Sequence, residues 1–409
     1  TDEVAGLVLN DNYRQNQAIS LMERMSVPRL GAKQHFIQVL ESEGLLDRQI
    51  EYLPSDAELS ERRARGQGLT RPELAVLLSY SKLVLFQQLV DSDVPEDPYL
   101  SRELVRYFPE PLQKKYAKFM DGHRLKREII ATAVTNSMVN RMGATFALRM
   151  AEDTGRSPGE IAEAYTIARE ALDARALWTQ IDALDGKVLE SVQIDALLVI
   201  WNVLRSFSRW LLLRPGEMPE ITTSMARFGD GLKAVREALP RTMSPVRQAQ
   251  YEAALAEWKQ KGVPSALAAQ LASMPMLEFA PDIIEIALER KVPPADVSQA
   301  FFAVGAALQL PWVYDQISRL PVDGRWHALA RGSLRDELAA QQRAVVGQVL
   351  AGGGRKPVQD KVASWLQRDD PTLRFALAML EDLSTQKELD YPTASVAVRR
   401  LAQVVAAGS

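Results

Sequence analysis

The residues with the most to offer chemically lie between His123 and Met150, in the run HRLKREIIATAVTNSMVNRMGATFALRM. Thr132, Asn136 and Asn140 recur every four residues, so on a helix they form one neutral polar stripe, with Gly143 about a turn further on. Asparagine is a mediocre helix former, and two on one stripe call for a reason. Their chemistry is hydrogen bonding: either the stripe is an interface to a neighbouring domain, or it is partly buried among helices of this chain with its amides satisfied internally. Just upstream, His123, Arg124, Lys126 and Arg127 cluster, with Lys114, Lys115 and Lys118 before them. Such a cluster suits an anionic partner, but Glu110, Asp121 and Glu128 are interleaved, as on a solvated face. Thr132, Asn136, Asn140, Arg141, Arg124 and Arg127 are the candidate interface residues.

Stronger chemistry is hard to find. Gly66 and Gly68 start a Gly-x-Gly, but Arg71 stands where the third glycine belongs; Gly229 and Gly231 fail likewise at Ala234. Gly352-Gly353-Gly354 runs into Arg355 and Pro357 with no strand before it. No Gly-x4-Gly-Lys-Ser/Thr occurs, so no NAD or nucleotide site is expected within this chain. His35, His123 and His327 are far apart and read as surface or interface residues, so no metal site is expected. Cysteine and Gly-x-Ser-x-Gly are both absent, leaving no patterned nucleophile. Glu285 and Glu289 share a helical face, which reads as a charged solvated face and not as an acid/base pair. No catalytic residue is assigned.

The elements that would position the stripe are helices. The chain has 409 residues, 47% hydrophobic and 25% charged, which is globular composition, but it is too long for one ordinary core. A net charge of -3 argues against a nucleic-acid partner. Ser157-Pro158, Ser244-Pro245, Asp97-Pro98 and Asp370-Pro371 each set a capping side chain before a proline, which suits a first helical turn. Thr70 with Glu73, and Ser157 with Glu160, fit the capping box. Leu74, Leu77, Leu78, Leu85 and Leu89 make one apolar stripe; Ile129, Val134, Met138, Met142 and Phe146 make another; Phe375, Leu380 and Leu383 continue the pattern near the end. The most apolar stretch, Ala196 to Leu213, holds Arg205 and Arg209, so it predicts a buried helix with one polar side and no membrane span. Asp-Gly pairs, including Asp230-Gly231 and Asp323-Gly324, lack the alternating flanks of hairpins and predict helix-ending turns. The expected fold is all-α: an irregular multi-helix bundle in two or three packed subdomains, without substantial sheet. The expected divisions are a connecting helix over 1–28, a helical subdomain over 29–215 and an Ala-rich one over 216–409, with the boundary in the Pro/Gly-rich segment Arg214 to Glu220. The opening Thr1-Asp2-Glu3 reads as a cut from a longer protein, and a reducing cytoplasm fits the lack of cysteine.

Three blocks carry a family resemblance. VAGLVLNDNYRQNQAISLMERM (Val4 to Met25) resembles the exit from the catalytic region of the large bacterial NAD-specific glutamate dehydrogenases. LTRPELAVLLSYSKLVL (Leu69 to Leu85) and HRLKREIIATAVTNSMVNRMG (His123 to Gly143) are similar to blocks of the same family's C-terminal region, in the same order. The resemblance covers about the first third of the chain closely and the remainder loosely. It implies a parent enzyme that oxidises L-glutamate to 2-oxoglutarate and ammonia with NAD, a large homo-oligomer, and a catalytic domain upstream of Thr1. It carries no catalytic residue onto this chain. The expected role is a non-catalytic C-terminal module for assembly, stability or regulation; the alternative is an independent helical scaffold that binds a protein partner. Should the first helix dock on an upstream domain, Val4, Leu7, Val8 and Ile19 would present an exposed apolar face.

Overall fold

The computed structural model describes every residue except Thr1, Asp323, Gly353, Arg355 and Ser409. Of the chain, 77% is helical, and the described residues form 21 α-helices and a short 3-10 helix at Val94–Glu96, with no strand. The all-α expectation is met. Two compact units, Thr1–Ala226 and Arg227–Ser409, partition the chain.

The first unit holds α1 (Asp2–Arg24), α2 (Leu30–Ser42), α3 (Asp56–Ala64), α4 (Arg71–Val90), α5 (Ser101–Tyr107), α6 (Glu110–Met120), α7 (Lys126–Met142), α8 (Phe146–Thr154), α9 (Pro158–Ala171), α10 (Ala174–Asp182) and α11 (Glu190–Leu212). Here α4 packs along α7, and α9 along α11. All five leucines of the α4 stripe are buried, as are Ile129, Val134, Met138, Met142 and Phe146. By length and composition α4 could also cross a membrane, but the core helix of a packed unit passes the same test. Glu73 accepts the Thr70 N–H at 2.7 Å and pairs with Arg62 at 2.7 Å, fixing the start of α4. The Ser157–Glu160 box is complete, with Ser157 N–H donating to Glu160 at 2.9 Å and Glu160 N–H to Ser157 Oγ at 3.3 Å. The expected polar side of α11 is partly internal: Arg209 is buried and paired with Asp153 at 2.8 Å. After α11, Arg156 donates to the carbonyls of Leu212, Arg214 and Gly216 at 3.0, 2.6 and 2.9 Å, tying down the Pro/Gly-rich segment.

The division between units falls within α12 (Ile221–Thr242). The second unit continues with α13 (Pro245–Gln260), α14 (Ser265–Leu277), α15 (Ala280–Arg290), α16 (Pro294–Ala307), α17 (Leu310–Arg319), α18 (Arg325–Ala351), α19 (Val358–Leu366), α20 (Pro371–Ser384) and α21 (Tyr391–Ala407). Its core gathers Phe279, Phe301 and Tyr314, with Phe279 5.4 Å from each of the other two ring centroids.

Several local expectations are corrected. Asp230-Gly231 lies inside α12 and ends nothing; a Cβ at Gly231 would come within 2.9 Å of Ile284, so glycine here permits close packing on α15. Gly324 precedes α18, and its partner Asp323 lies outside the described residues, as do Gly353 and Arg355 of the glycine run. Asp97 accepts from Tyr99 and Leu100 N–H in a turn ahead of α5, so Pro98 opens a turn and not a helix. Ser244 precedes α13, but its buried hydroxyl makes no cap hydrogen bond and has no partner among the described residues. Glu285 is not solvated: it is buried and paired with Arg227, whereas Glu289 is exposed. Phe375 is 56% exposed, because the buried stripe of α20 runs through Leu373, Ala376, Leu380 and Leu383; Arg400 lies over its ring at 4.8 Å.

Candidate functional site

The predicted polar stripe is on α7, and its environment changes along its length. Thr132 and Asn136 are half-buried. Asn140 is buried, and its Oδ1 accepts no hydrogen bond among the described residues. Beside it Arg141 is drawn inward. Its guanidinium lies 4.5 Å over Trp178, donates to Gln17 Oε1 at 3.2 Å and stands 3.6 Å from Asp182. Gln17 in turn donates to Asp182 at 2.8 Å, so α1, α7 and α10 are stitched by one small network. Burial lowers the Arg141 pKa, and the Asp182 carboxylate opposes that. Asn140, Arg141, Trp178 and Trp201 line a narrow cleft whose free space of about 10 Å³ is about that of one water.

The basic cluster is not brought to the stripe. Arg124 is exposed. Arg127 pairs with Glu96 and donates to the carbonyls of Val90 and Ser92 at 2.5 and 2.9 Å, covering the end of α4. His123 is exposed, and its Nδ1 accepts the Leu125 N–H at 3.2 Å. His35 instead meets Glu152 at 2.6 Å, and His327 stacks on Tyr391 at 5.1 Å.

A second cleft, of about 20 Å³, shares Trp201 with the first. Met22 and Met25 come from α1 and the turn after it, Lys33 from α2, and Met142 to Thr145 from the α7–α8 turn. Gly143 closes α7 at φ +83°, and a Cβ there would meet Met22 Cγ at 3.3 Å, so both backbone and space require glycine. Lys33 is 5% exposed, and its ammonium donates to Met25 O at 3.2 Å. Desolvation, then the charge of Arg29, lowers its pKa from 10.5 to about 7. The Arg29 guanidinium lies over Trp201 at 4.2 Å. Sequence reasoning missed this pair. The signal was present: Lys33 sits on the Leu30, Ile37, Leu40 stripe, where an apolar residue is the rule.

At the start of the same unit, α1 has two different halves. Leu21 and Met22 are buried, Ser20 donates to Glu190 at 2.9 Å and Arg24 to Asp195 at 2.9 Å. Val4, Leu7 and Val8 are 51%, 40% and 54% exposed, and Leu9 is 67% exposed; Ile19 is half-buried. Positions 4, 7 and 8 lie on one helical face.

The comparisons with known proteins bear on the same region. A family model described as "Glutamate dehydrogenase, C-terminal" matches residues 66–403. The NAD-specific glutamate dehydrogenase of Halomonas elongata is 40% identical over 100% of this chain, which spans 25% of that protein. Its namesake in Pseudomonas aeruginosa is 39% identical over 98% of the chain, again 25% of the relative. The Mycobacterium tuberculosis protein of the same name is 30% identical over 98% of the chain. The chain thus spans about a quarter of the length of the curated relatives it matches.

Proposed function

Because this chain belongs to the glutamate dehydrogenase C-terminal family, we propose that it is the C-terminal helical module of an NAD-dependent glutamate dehydrogenase. The parent reaction is the oxidation of L-glutamate with NAD and water to 2-oxoglutarate, ammonia and NADH. The module itself supplies no reacting group; it serves assembly, stability or regulation. A dinucleotide fold needs parallel strands that present a glycine-rich turn, and the described residues are helices. The NAD site and the catalytic groups are assigned, on this reading, to the rest of the parent.

The observation that carries the reading is the family match together with the quarter share of the relatives' length. The exposed face of Val4, Leu7 and Val8 supports a further step: the first half of α1 docks on the preceding, catalytic part of the same chain. Thr132 and Asn136 belong to the surface open to that partner, while Asn140 and Arg141 are engaged inward. A homo-oligomeric, cytoplasmic parent completes the proposal.

Two assays test it. The 409-residue chain alone is expected to give no glutamate-dependent NADH, while the intact parent does; NADH formation by the chain alone would overturn the non-catalytic role. In the intact parent, Val4→Asp with Val8→Asp is expected to lower activity or assembly, and Asn136→Ala to a lesser degree. Unchanged activity, assembly and stability in the double variant would remove the docking face.

A further inference from the structure

Of the 11 residues of α6, only Met120 is buried. The helix packs on α5, and its Glu110 N–H donates to Glu3 Oε1, at the start of α1, at 2.6 Å. Leu112, Tyr116 and Phe119 are spaced i, i+4 and i+7, so they share one face, and they are 40%, 41% and 64% exposed. A helix this short is marginal in water and ordinarily gains its stability by packing such a face. Here the face meets solvent. Its border is basic: Lys115 lies 5.3 Å from the Tyr116 ring centre and Lys118 5.1 Å from that of Phe119, and no carboxylate among the described residues pairs with either. Between Glu110 and Arg127 six Lys and Arg stand against two carboxylates, in a chain whose net charge is -3.

We propose that this face of α6 is a docking site for an acidic, apolar-faced segment of the preceding, catalytic part of the same polypeptide. The inference rests on the reading that such a part precedes this chain; to the α1 face it adds a second surface and the chemistry of the partner. Three observations select this occupant. The chain spans about a quarter of its relatives' length and matches a family described as C-terminal, so most of the relatives' residues lie ahead of the matched region. The Glu3–Glu110 hydrogen bond sets the first turn of α6 beside the first turn of α1, so a partner seated on Val4 is already next to α6. The basic border attracts carboxylates, whereas a second copy of the same face would bring like charges together. Tyr116 and Phe119 supply broad rings of the kind that carry binding energy once water is excluded. The lysine stems lie along those rings and extend the apolar area, while the ammonium groups stay at the rim.

The test compares the 409-residue chain with the intact parent, both unsubstituted. Each is acetylated lightly with an N-hydroxysuccinimide ester, and labelling of Lys115 and Lys118 is followed by mass spectrometry. The expected result is labelling slower in the parent by about tenfold or more. A smaller difference leaves the face open and overturns the proposal. Slowing that appears in the isolated chain as its concentration is raised assigns the face to a second copy, and also overturns it. Carbodiimide then joins touching amines and carboxylates without a spacer. Cross-links from Lys115 or Lys118 are expected to reach Asp or Glu of the preceding part; cross-links confined to these 409 residues, or none, overturn the acidic partner. Phe119→Ala in the parent is expected to restore fast labelling, and slow labelling retained there overturns the role of the aromatic face. Phe119 is exposed, so the same change should leave the unfolding midpoint of the isolated chain in place. Failure of these tests leaves the docking of α1 standing, because that is decided by Val4→Asp with Val8→Asp.

Discussion

Two of the places in the first unit that bury positive charge are built on opposite plans. Around Arg169 everything is answered. Its guanidinium is 1% exposed, stands 2.6 Å from Glu170 and 3.4 Å from Glu103, and donates to Ser137 Oγ at 2.8 Å. Arg175 adds a second cation, 2.6 Å from Glu103 and 3.1 Å from Glu170. Burial pushes the Glu170 carboxyl up, but Arg169 and Arg175 outweigh it and hold the group below the usual carboxylate range. Tyr165 closes the set by donating to Ser137 O at 2.9 Å. Around Lys33 there is one main-chain acceptor and a like charge. The first arrangement joins α5, α7, α9 and α10 whatever else is present. The second holds its cation by a single main-chain acceptor, so its charged form is costly.

The contrast can be broken from the scaffold side first. Arg169→Met takes the fully buried partner from Glu103 and Glu170, leaving the more exposed Arg175 and Arg106, and is expected to cost about 3–5 kcal/mol in chemical denaturation. A loss below about 1 kcal/mol would mean the cluster is not structural. Lys33→Met should act in the opposite direction, stabilising the chain by a few kcal/mol at pH 6. The sign follows from the depressed folded-state pKa. Between about 7 and the ordinary 10.5 the unfolded chain binds more protons, so the lysine's penalty is full below about pH 7 and relieved as pH rises. Denaturation midpoints of the two proteins should therefore converge towards pH 10; a constant gap would contradict the burial of charge. Ser137→Ala removes an acceptor of Arg169 and is expected to cost about 1–2 kcal/mol by the same measurement.

The smallest effect concerns a carboxylate in the reverse predicament. Burial first, then Asp97, Glu160 and Asp93, raises the Glu163 pKa to about 7. Its charge is thus disfavoured in the folded state, and stability is lost as pH rises from the ordinary value through about 7. Glu163→Gln should be more stable than the parent chain at pH 8 and equal to it near pH 4. Equal stabilities at pH 8 would show that solvent screens the repulsion.

What could be read from the residues alone were features whose causes are local. The α4 leucines, the Thr70 and Ser157 capping boxes and the Asp370 cap, which accepts from Thr372 and Leu373 N–H, each depend on neighbours within a turn or two. Features with distant causes were not legible. Glu285 looked solvated because its partner, Arg227, lies far away in sequence. Gly231 looked like a turn because nothing nearby announces Ile284. On the polar stripe, position and helicity were plain, but which end faces inward depended on Gln17, Trp178 and Trp201 from three other helices. Lys33 lies between these cases: its place on an apolar stripe was visible, but the company of Arg29 inside a cleft was not.

The two-part character of α1 has a mechanical side. From Val4 to Met22 the helix extends roughly 27 Å at 1.5 Å per residue. Its far end is solvent-facing, and its near end sets Gln17 and Leu21 in one cleft and Met22 in the other. Met22 Sδ also accepts the Ala144 N–H at 3.4 Å, against the glycine that lets it approach. A helix is stiff over that length, so α1 is a lever arm whose short end is wedged into the α7–α8 turn. A displacement imposed at Val4 or Val8 would therefore run along the axis toward Met22 and the glycine it packs against.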